Sequence, residues 1–202
     1  MDDSRPRLGV IGGSFDPPHI AHLVIASEAC AQLGLERVLF VPAAAPPHKT
    51  AVASTSAELR LEMTTLAVGD DLRFVESGLE VERDLVYTRD MLDAVAQRFP
   101  GRDLVLIMGS DSLAQLDTWF DPESILARAT LAVAPRHVDA EDVFKEAQRR
   151  WPEGRVVRLE APRIVLSSTI VRERVAAGRP IRYLVPPAVE EYIVERRLYG
   201  HR

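Results

Sequence analysis

The sequence predicts an α/β protein: a doubly wound, mainly parallel sheet with helices on both faces. Three observations carry this. Short apolar runs of strand type alternate with segments of helical period along the chain. The run Asp103-Leu104-Val105-Leu106-Ile107-Met108 is continuously apolar after its first residue, as a strand buried by helices on both faces must be. Polar turns rich in glycine or hydroxyls follow such runs, at the strand ends where open α/β sheets bind ligands. A length of 202 residues fits one domain, residues 1–202, with a small helical part from about 160 to 202.

Leu8–Ile11 is the first strand. Gly12-Gly13-Ser14-Phe15-Asp16-Pro17-Pro18-His19 follows as a turn, with Asp16 as N-cap and Pro17 in the first helical position. The helix then runs through His19–Leu33 and stops at Gly34. Arg37–Pro42 is the second strand. Residues 43–56 form a long Pro/Ala loop expected to be mobile without ligand, and Ser56 caps a helix over Glu58–Ala67. Leu72–Val75 is a third strand candidate, and Leu79–Val86 is ambiguous. Thr88–Phe99 is a helix ended by Pro100-Gly101. After the strong strand, Gly109–Ser112 reads as a tight turn leading into a short helix to Leu116. Asp121-Pro122 opens another short helix. Thr130–Ala134 and Val156–Leu159 are strands flanking a charged helix over Ala140–Arg150. Ser167 opens a helix to Ala177, ended by Gly178, and Pro187–Arg197 is the last helix.

Composition narrows the function. A net charge of −5 argues against broad nucleic-acid binding, so any anion site must be local. Cys30 is the single cysteine, which rules out an internal disulfide and reads as a small core residue. The polar start lacks the pattern of a signal peptide, and no apolar run approaches the ~20 residues of a membrane span. The expectation is a cytoplasmic protein, away from membranes, with room for a homo-oligomer.

Three turns carry the chemistry. Gly12, Gly13, Ser14 and Phe15 can bring bare backbone close to a ligand at a helix N-terminus, where phosphate binds. His19 and His22, three apart, share one helix face there. The second turn holds Asp111, which either caps the next helix or accepts ribose hydroxyls or helps to position a metal. Trp119 just beyond it is either core or a stacking surface. The third, Ser167-Ser168-Thr169 with Arg172 one turn on, is a second phosphate site. His48-Lys49 in the long loop adds a phosphate contact. No third ligand is spaced to make a metal site of the two histidines. The glycine fingerprints of P-loop enzymes and dinucleotide-dependent dehydrogenases are absent, as is the Gly-x-Ser-x-Gly elbow of acyl hydrolases.

These residues resemble the nucleotidyltransferase superfamily with a His-x-Gly-His signature and, within it, the nicotinate-mononucleotide adenylyltransferases. The resemblance rests on Gly12–Pro17 with His19 and His22, on Pro46-Pro47-His48-Lys49, on Tyr87-Thr88-Arg89-Asp90-Met91-Leu92, on Gly109-Ser110-Asp111 with Trp119, on Ser167–Arg172 and on the C-terminal Tyr183–Pro186 and Tyr192–Tyr199. It covers most of the chain. Ala21, Val86 and Ser110 stand where the family has glycine, serine and alanine. Pro135-Arg136-His137 replaces the family's Arg-Pro-Gly.

The resemblance implies a Rossmann-like nucleotidyltransferase fold and adenylyl transfer from ATP to nicotinate mononucleotide, with Mg²⁺ carried mainly on substrate phosphates. By the same resemblance His22 and His19 hold the α- and β-phosphates, while Lys49 and Arg172 neutralise the triphosphate. Gly12, Gly13, Ser14, Phe15, Ser167, Ser168 and Thr169 bind its phosphates. Asp16, Thr88, Asp111 and Trp119 face the mononucleotide: Thr88 toward the carboxylate, Trp119 by stacking and Asp111 on ribose. The alternatives are transfer to nicotinamide mononucleotide or phosphopantetheine, and an ATP-binding sensor without turnover.

Overall fold

The computed structural model describes residues 5–44, 55–136, 140–152 and 154–200. Six strands form one sheet: β1 (Arg7–Gly13), β2 (Leu35–Pro42), β3 (Phe74–Glu76), β4 (Asp103–Gly109), β5 (Ala129–Ala134) and β6 (Val156–Arg158), in the order β3-β2-β1-β4-β5-β6. Every pairing is parallel. The chain winds outward from β1 on one side and from β4 on the other. The order reverses between these two neighbours, and the space beyond their carboxyl ends is where open α/β sheets bind ligands.

Nine α-helices are assigned among the described residues: α1 (Ile20–Leu33), α2 (Ala57–Val68), α3 (Leu79–Arg83), α4 (Thr88–Arg98), α5 (Ser110–Ala114), α6 (Pro122–Arg128), α7 (Ala140–Arg150), α8 (Ser168–Ala176) and α9 (Pro187–Glu195). Alternation along the strands builds a core on each face. Leu104, Leu106 and Met108 of β4 join Met91, Leu92, Ile125 and Phe144 from α4, α6 and α7. Val105 and Ile107 turn to the other face, against Ala26, Ala29 and the buried Cys30 of α1. A third cluster packs α8 and α9 onto α1 and α2 through Val171, Val189, Ile193, Ala21 and Met63.

Several boundaries differ from the sequence reading. Gly12 and Gly13 belong to β1, paired with Val41 and Pro42, so the turn itself is residues 14–18. Leu72 is 94% exposed and lies outside β3, which starts at the buried Phe74. The ambiguous stretch from Leu79 folds as α3. Ser110 and Asp111 are already helical, because β4 passes directly into α5 with Gly109 as its N-cap. A 3-10 turn over Leu116–Thr118 follows. The caps at Ser56 and Asp121 and the stop at Gly34 are as predicted: Ser56 accepts from the Leu59 N–H, Asp121 accepts from the Ser124 N–H, and Gly34 has φ 60°.

Candidate active site

The first turn leaves β1 and folds back under itself. Phe15 takes a left-handed backbone, φ 44°, and buries its ring between His22 (centroids 5.0 Å, 82°) and Phe40 (5.8 Å). Asp16 is not the helix cap. A residue before proline is pushed out of the α region, and Pro17 precedes Pro18, so α1 starts only at Ile20 with His19 as its N-cap. The Asp16 carboxylate is buried instead and accepts the Tyr199 hydroxyl at 2.7 Å.

The two imidazoles stack, centroids 3.7 Å apart at 16°. The His19 N–H donates to Nδ1 of His22 at 3.2 Å. With Nδ1 accepting, neutral His22 carries its proton on Nε2 and presents a donor there. Burial and the charge of Arg136 lower the His19 pKa to about 4. Burial, His19 and Arg136 hold His22 well below its ordinary value too. Both rings are therefore neutral near pH 7 in the free protein. The Ile20 N–H is taken by the Leu184 carbonyl (3.0 Å) and the His22 N–H by His19 O (3.0 Å), so these two donors of the α1 N-terminus are already spent.

The third predicted turn docks on the first. Ser167 caps α8 by accepting from the Ile170 N–H. The Ser168 hydroxyl donates to the Pro17 carbonyl at 2.8 Å. Arg172 donates to the Asp16 carbonyl at 2.7 Å and to the Thr169 hydroxyl at 3.2 Å. Arg172 and the α8 N-terminus are thereby fixed beside the histidine pair.

Arg136 joins the second region to the third. It donates from Nη1 to Asp111 Oδ2 at 3.0 Å and from Nη2 to the Leu166 carbonyl at 2.7 Å, and its backbone N–H donates to Ser110 Oγ at 3.1 Å. Gly109 makes room for this. A Cβ there would lie 2.3 Å from Asp111 Oδ1 and 2.4 Å from Arg136 Cδ. The other oxygen of Asp111 and Nδ1 of His19 are buried without a hydrogen-bond partner among the described residues.

A fourth segment supplies the far side. Thr88 opens α4 directly after Tyr87, its N-cap. Met91, three residues on, places its Cε 3.8 Å from where a Cβ of Gly12 would stand. Tyr87 and Phe120, both half-exposed, stack at 4.4 Å and 29°. Arg89 lies over Phe120 at 4.6 Å and ties Asp90 to Asp121. Trp119 is partly buried against the sheet core, so the open aromatic surface is offered by its neighbour Phe120. Lys49, His48 and most of the 43–56 loop lie outside the described residues.

Among the described residues no three His, Cys, Asp or Glu side chains gather as a metal site. The groups that do gather are mostly N–H, hydroxyl and guanidinium donors suited to phosphate oxygens; the one buried carboxylate oxygen without a partner among the described residues, Asp111 Oδ1, is too few for Mg²⁺, which takes several oxygen ligands. The described residues thus do not fit a protein-held Mg²⁺. Sequence reasoning missed Arg136, visible only as a departure from a motif, and the Tyr87–Phe120 stack, which joins residues 33 positions apart.

Comparison with known proteins agrees with this geometry. Residues 10–174 match the cytidylyltransferase-like family. A protein of Synechococcus sp. described as a probable nicotinate-nucleotide adenylyltransferase is 41% identical over 98% of this chain and 97% of its own. One of the same description from Thermus thermophilus is 44% identical over 96% and 99%. The solved nicotinic acid mononucleotide adenylyltransferase of Plasmodium falciparum, complexed with NaAD, superposes with a TM-score of 0.79 at 18% identity, covering 98% of both chains. No helix among the described residues is long and apolar enough to cross a membrane. A strand–turn–helix carrying a stacked histidine pair at the switch point of a 3-2-1-4-5-6 sheet and full-length identity above 40% lead to one assignment: the chain belongs to the cytidylyltransferase-like family, among the nicotinate-nucleotide adenylyltransferases.

Proposed function

We infer that the chain transfers the adenylyl group of ATP to nicotinate mononucleotide, giving nicotinate adenine dinucleotide and pyrophosphate in NAD biosynthesis. The observation that supports this is the docking of Ser168 and Arg172 onto the turn that leads to the histidine pair, which brings the first and third predicted phosphate turns together. The names of the full-length relatives support the choice of mononucleotide.

The attacking group is the phosphate of the mononucleotide. With a second pKa of about 6 it is mostly dianionic at neutral pH, so no general base is required. One of its oxygens forms a bond to the α-phosphorus of ATP. The bond from that phosphorus to the α–β bridging oxygen breaks, and pyrophosphate leaves with the electron pair. The protein's task is alignment and charge stabilisation. His22 donates from Nε2 to the phosphates, assisted by His19. Arg172 and Lys49 neutralise the triphosphate and departing pyrophosphate, with Gly12–Phe15 and Ser167–Thr169 around them. Asp111, held by Arg136, meets a ribose, and Thr88 meets the nicotinate carboxylate beside Trp119. Asp16 acts on the mononucleotide side through the turn that it anchors. Mg²⁺ accompanying ATP would offset the triphosphate's charge, and no cluster of the described residues gathers to hold it. A cytoplasmic location belongs to the same proposal, supported by the single buried cysteine.

The test is pyrophosphate release from ATP·Mg²⁺ with nicotinate mononucleotide, nicotinamide mononucleotide or phosphopantetheine offered singly. The expected outcome is release fastest with nicotinate mononucleotide. Release fastest with either other acceptor changes the substrate, and ATP binding without release from any of them makes the protein a sensor.

A further inference from the structure

Among the described residues Arg60 is the largest fully buried side chain, at 1% exposure. It lies on α2, yet its guanidinium is spent on main-chain carbonyls of three segments. Nη1 donates to Ser14 O in the first turn (2.9 Å), Nη2 to Ala44 O beyond β2 (3.1 Å), and Nε to Thr55 O before α2 (3.1 Å). Ala44 is held at its other backbone group as well, its N–H donating to the buried Glu80 carboxyl at 3.3 Å. Among the described residues Arg60 forms no ion pair. The carboxylates that act on it are Asp16, Glu80 and Glu58, and burial still lowers its pKa.

Filling space does not call for this residue. A buried charge is costly to desolvate, and an apolar side chain of similar volume serves a core as well or better. What an apolar side chain lacks is the fork. A trans peptide is planar, with its C=O and N–H on opposite sides. Fixing the Ser14 carbonyl on Arg60 therefore turns the next N–H, that of Phe15, away from Arg60.

We propose that Arg60 is a positioning residue for adenylyl transfer: its hold on the Ser14 carbonyl aims the Phe15 N–H at the triphosphate, and its hold on Ala44 and Thr55 sets the turn against β2 and α2. This rests on the reading of residues 12–15 as the triphosphate turn.

Arg60→Met keeps volume and loses the fork. Arg60→Lys keeps the charge on a single ammonium that cannot span three carbonyls. Each is compared with the wild type by thermal unfolding, by calorimetry with a non-hydrolysable ATP analogue, and by steady-state kinetics. Both folded variants should lose about 10- to 100-fold in analogue affinity or kcat, with the mononucleotide KM within about twofold. Millimolar guanidinium should restore part of the loss in Arg60→Ala and none in Arg60→Met, whose side chain occupies the space. A folded variant with wild-type analogue affinity and turnover overturns the proposal. So does a failure of every variant to fold, which would make Arg60 a folding residue only. Should the wild type release no pyrophosphate with nicotinate mononucleotide, the functional reading fails, and the analogue affinities alone decide on Arg60.

Discussion

Under the proposed assignment His22 faces the reaction as an uncharged donor. Its Nδ1 is occupied by the His19 N–H, and its ring is desolvated beside a second imidazole and within the field of Arg136. The proposal therefore gives it one fixed N–H, useful where phosphate charge grows during transfer. His22→Ala should lower kcat by at least about 100-fold, the usual loss on removing a donor to transition-state charge, in single-turnover and steady-state assays alike. Near-normal turnover would remove His22 from the mechanism. The pairing of His19 with His22 was legible from spacing alone. The role of Asp16 as a buried acceptor for Tyr199 was not, since its partner is 183 residues away. Ala21 also becomes intelligible only in the fold. It is 7% exposed and lies in the cluster with Met63 and Val171, so the methyl that replaces the family's glycine is absorbed by packing.

At the scale of elements, chain order and local chemistry explain most boundaries. Caps at Ser56, Asp121 and Ser167 and the glycine stop after α1 are local signals, and all four were readable. The start of α1 was misread because Asp-Pro resembles a cap, while the second proline delays the helix by three residues. The glycines after Ile11 were read as turn because glycine is rare in strands, yet parallel pairing to Val41 and Pro42 carries β1 through them. Such pairing is long-range and leaves no local trace. Helix α4 places Thr88 in its first turn beside the half-exposed Tyr87–Phe120 stack, with Arg89 fastening this end to the Asp121 cap of α6. Under the proposed assignment Thr88→Ala should raise the mononucleotide KM about tenfold and leave the ATP KM within about twofold. Equal shifts for both substrates in initial-rate measurements would dissociate α4 from the acceptor.

For the whole molecule, buried titratable groups make stability depend on pH in two opposing ways. His19 has a folded pKa of about 4 against 6.5 when unfolded. The unfolded chain therefore binds more protons below pH 6.5, and stability falls as pH drops from there to 4, by about 3 kcal/mol at pH 4 for this group. Glu80, pushed up to about 7 by burial, works in reverse: its contribution is full below pH 4.5 and is lost as pH rises through 7. The difference in urea-unfolding free energy between wild type and His19→Asn should move by about 3 kcal/mol between pH 7 and pH 4, in the direction that favours the variant in acid. No movement would mean that the imidazole is hydrated in the folded state. The doubly wound class was legible in the sequence because strand-type runs alternate with helical period along the whole chain and the central run, Leu104–Met108, is continuously apolar. The cross-bridging by Arg60 and Arg136 was not: Arg60 meets only carbonyls, which every residue has, and Arg136 meets a carbonyl and an Asp111 carboxylate 25 positions away. The Tyr199–Asp16 hydrogen bond has one more consequence, for the order in which a newly made chain becomes competent. Burial and the Asp16 carboxylate keep the Tyr199 phenol above its usual range, so it remains a donor wherever the protein is folded. Tyr199 follows Asp16 by 183 positions, roughly 10–40 s of synthesis at 5–20 residues per second. Throughout that interval the turn of residues 14–18 lacks this anchor, which arrives only with the 3-10 turn Leu198–Gly200 that follows α9.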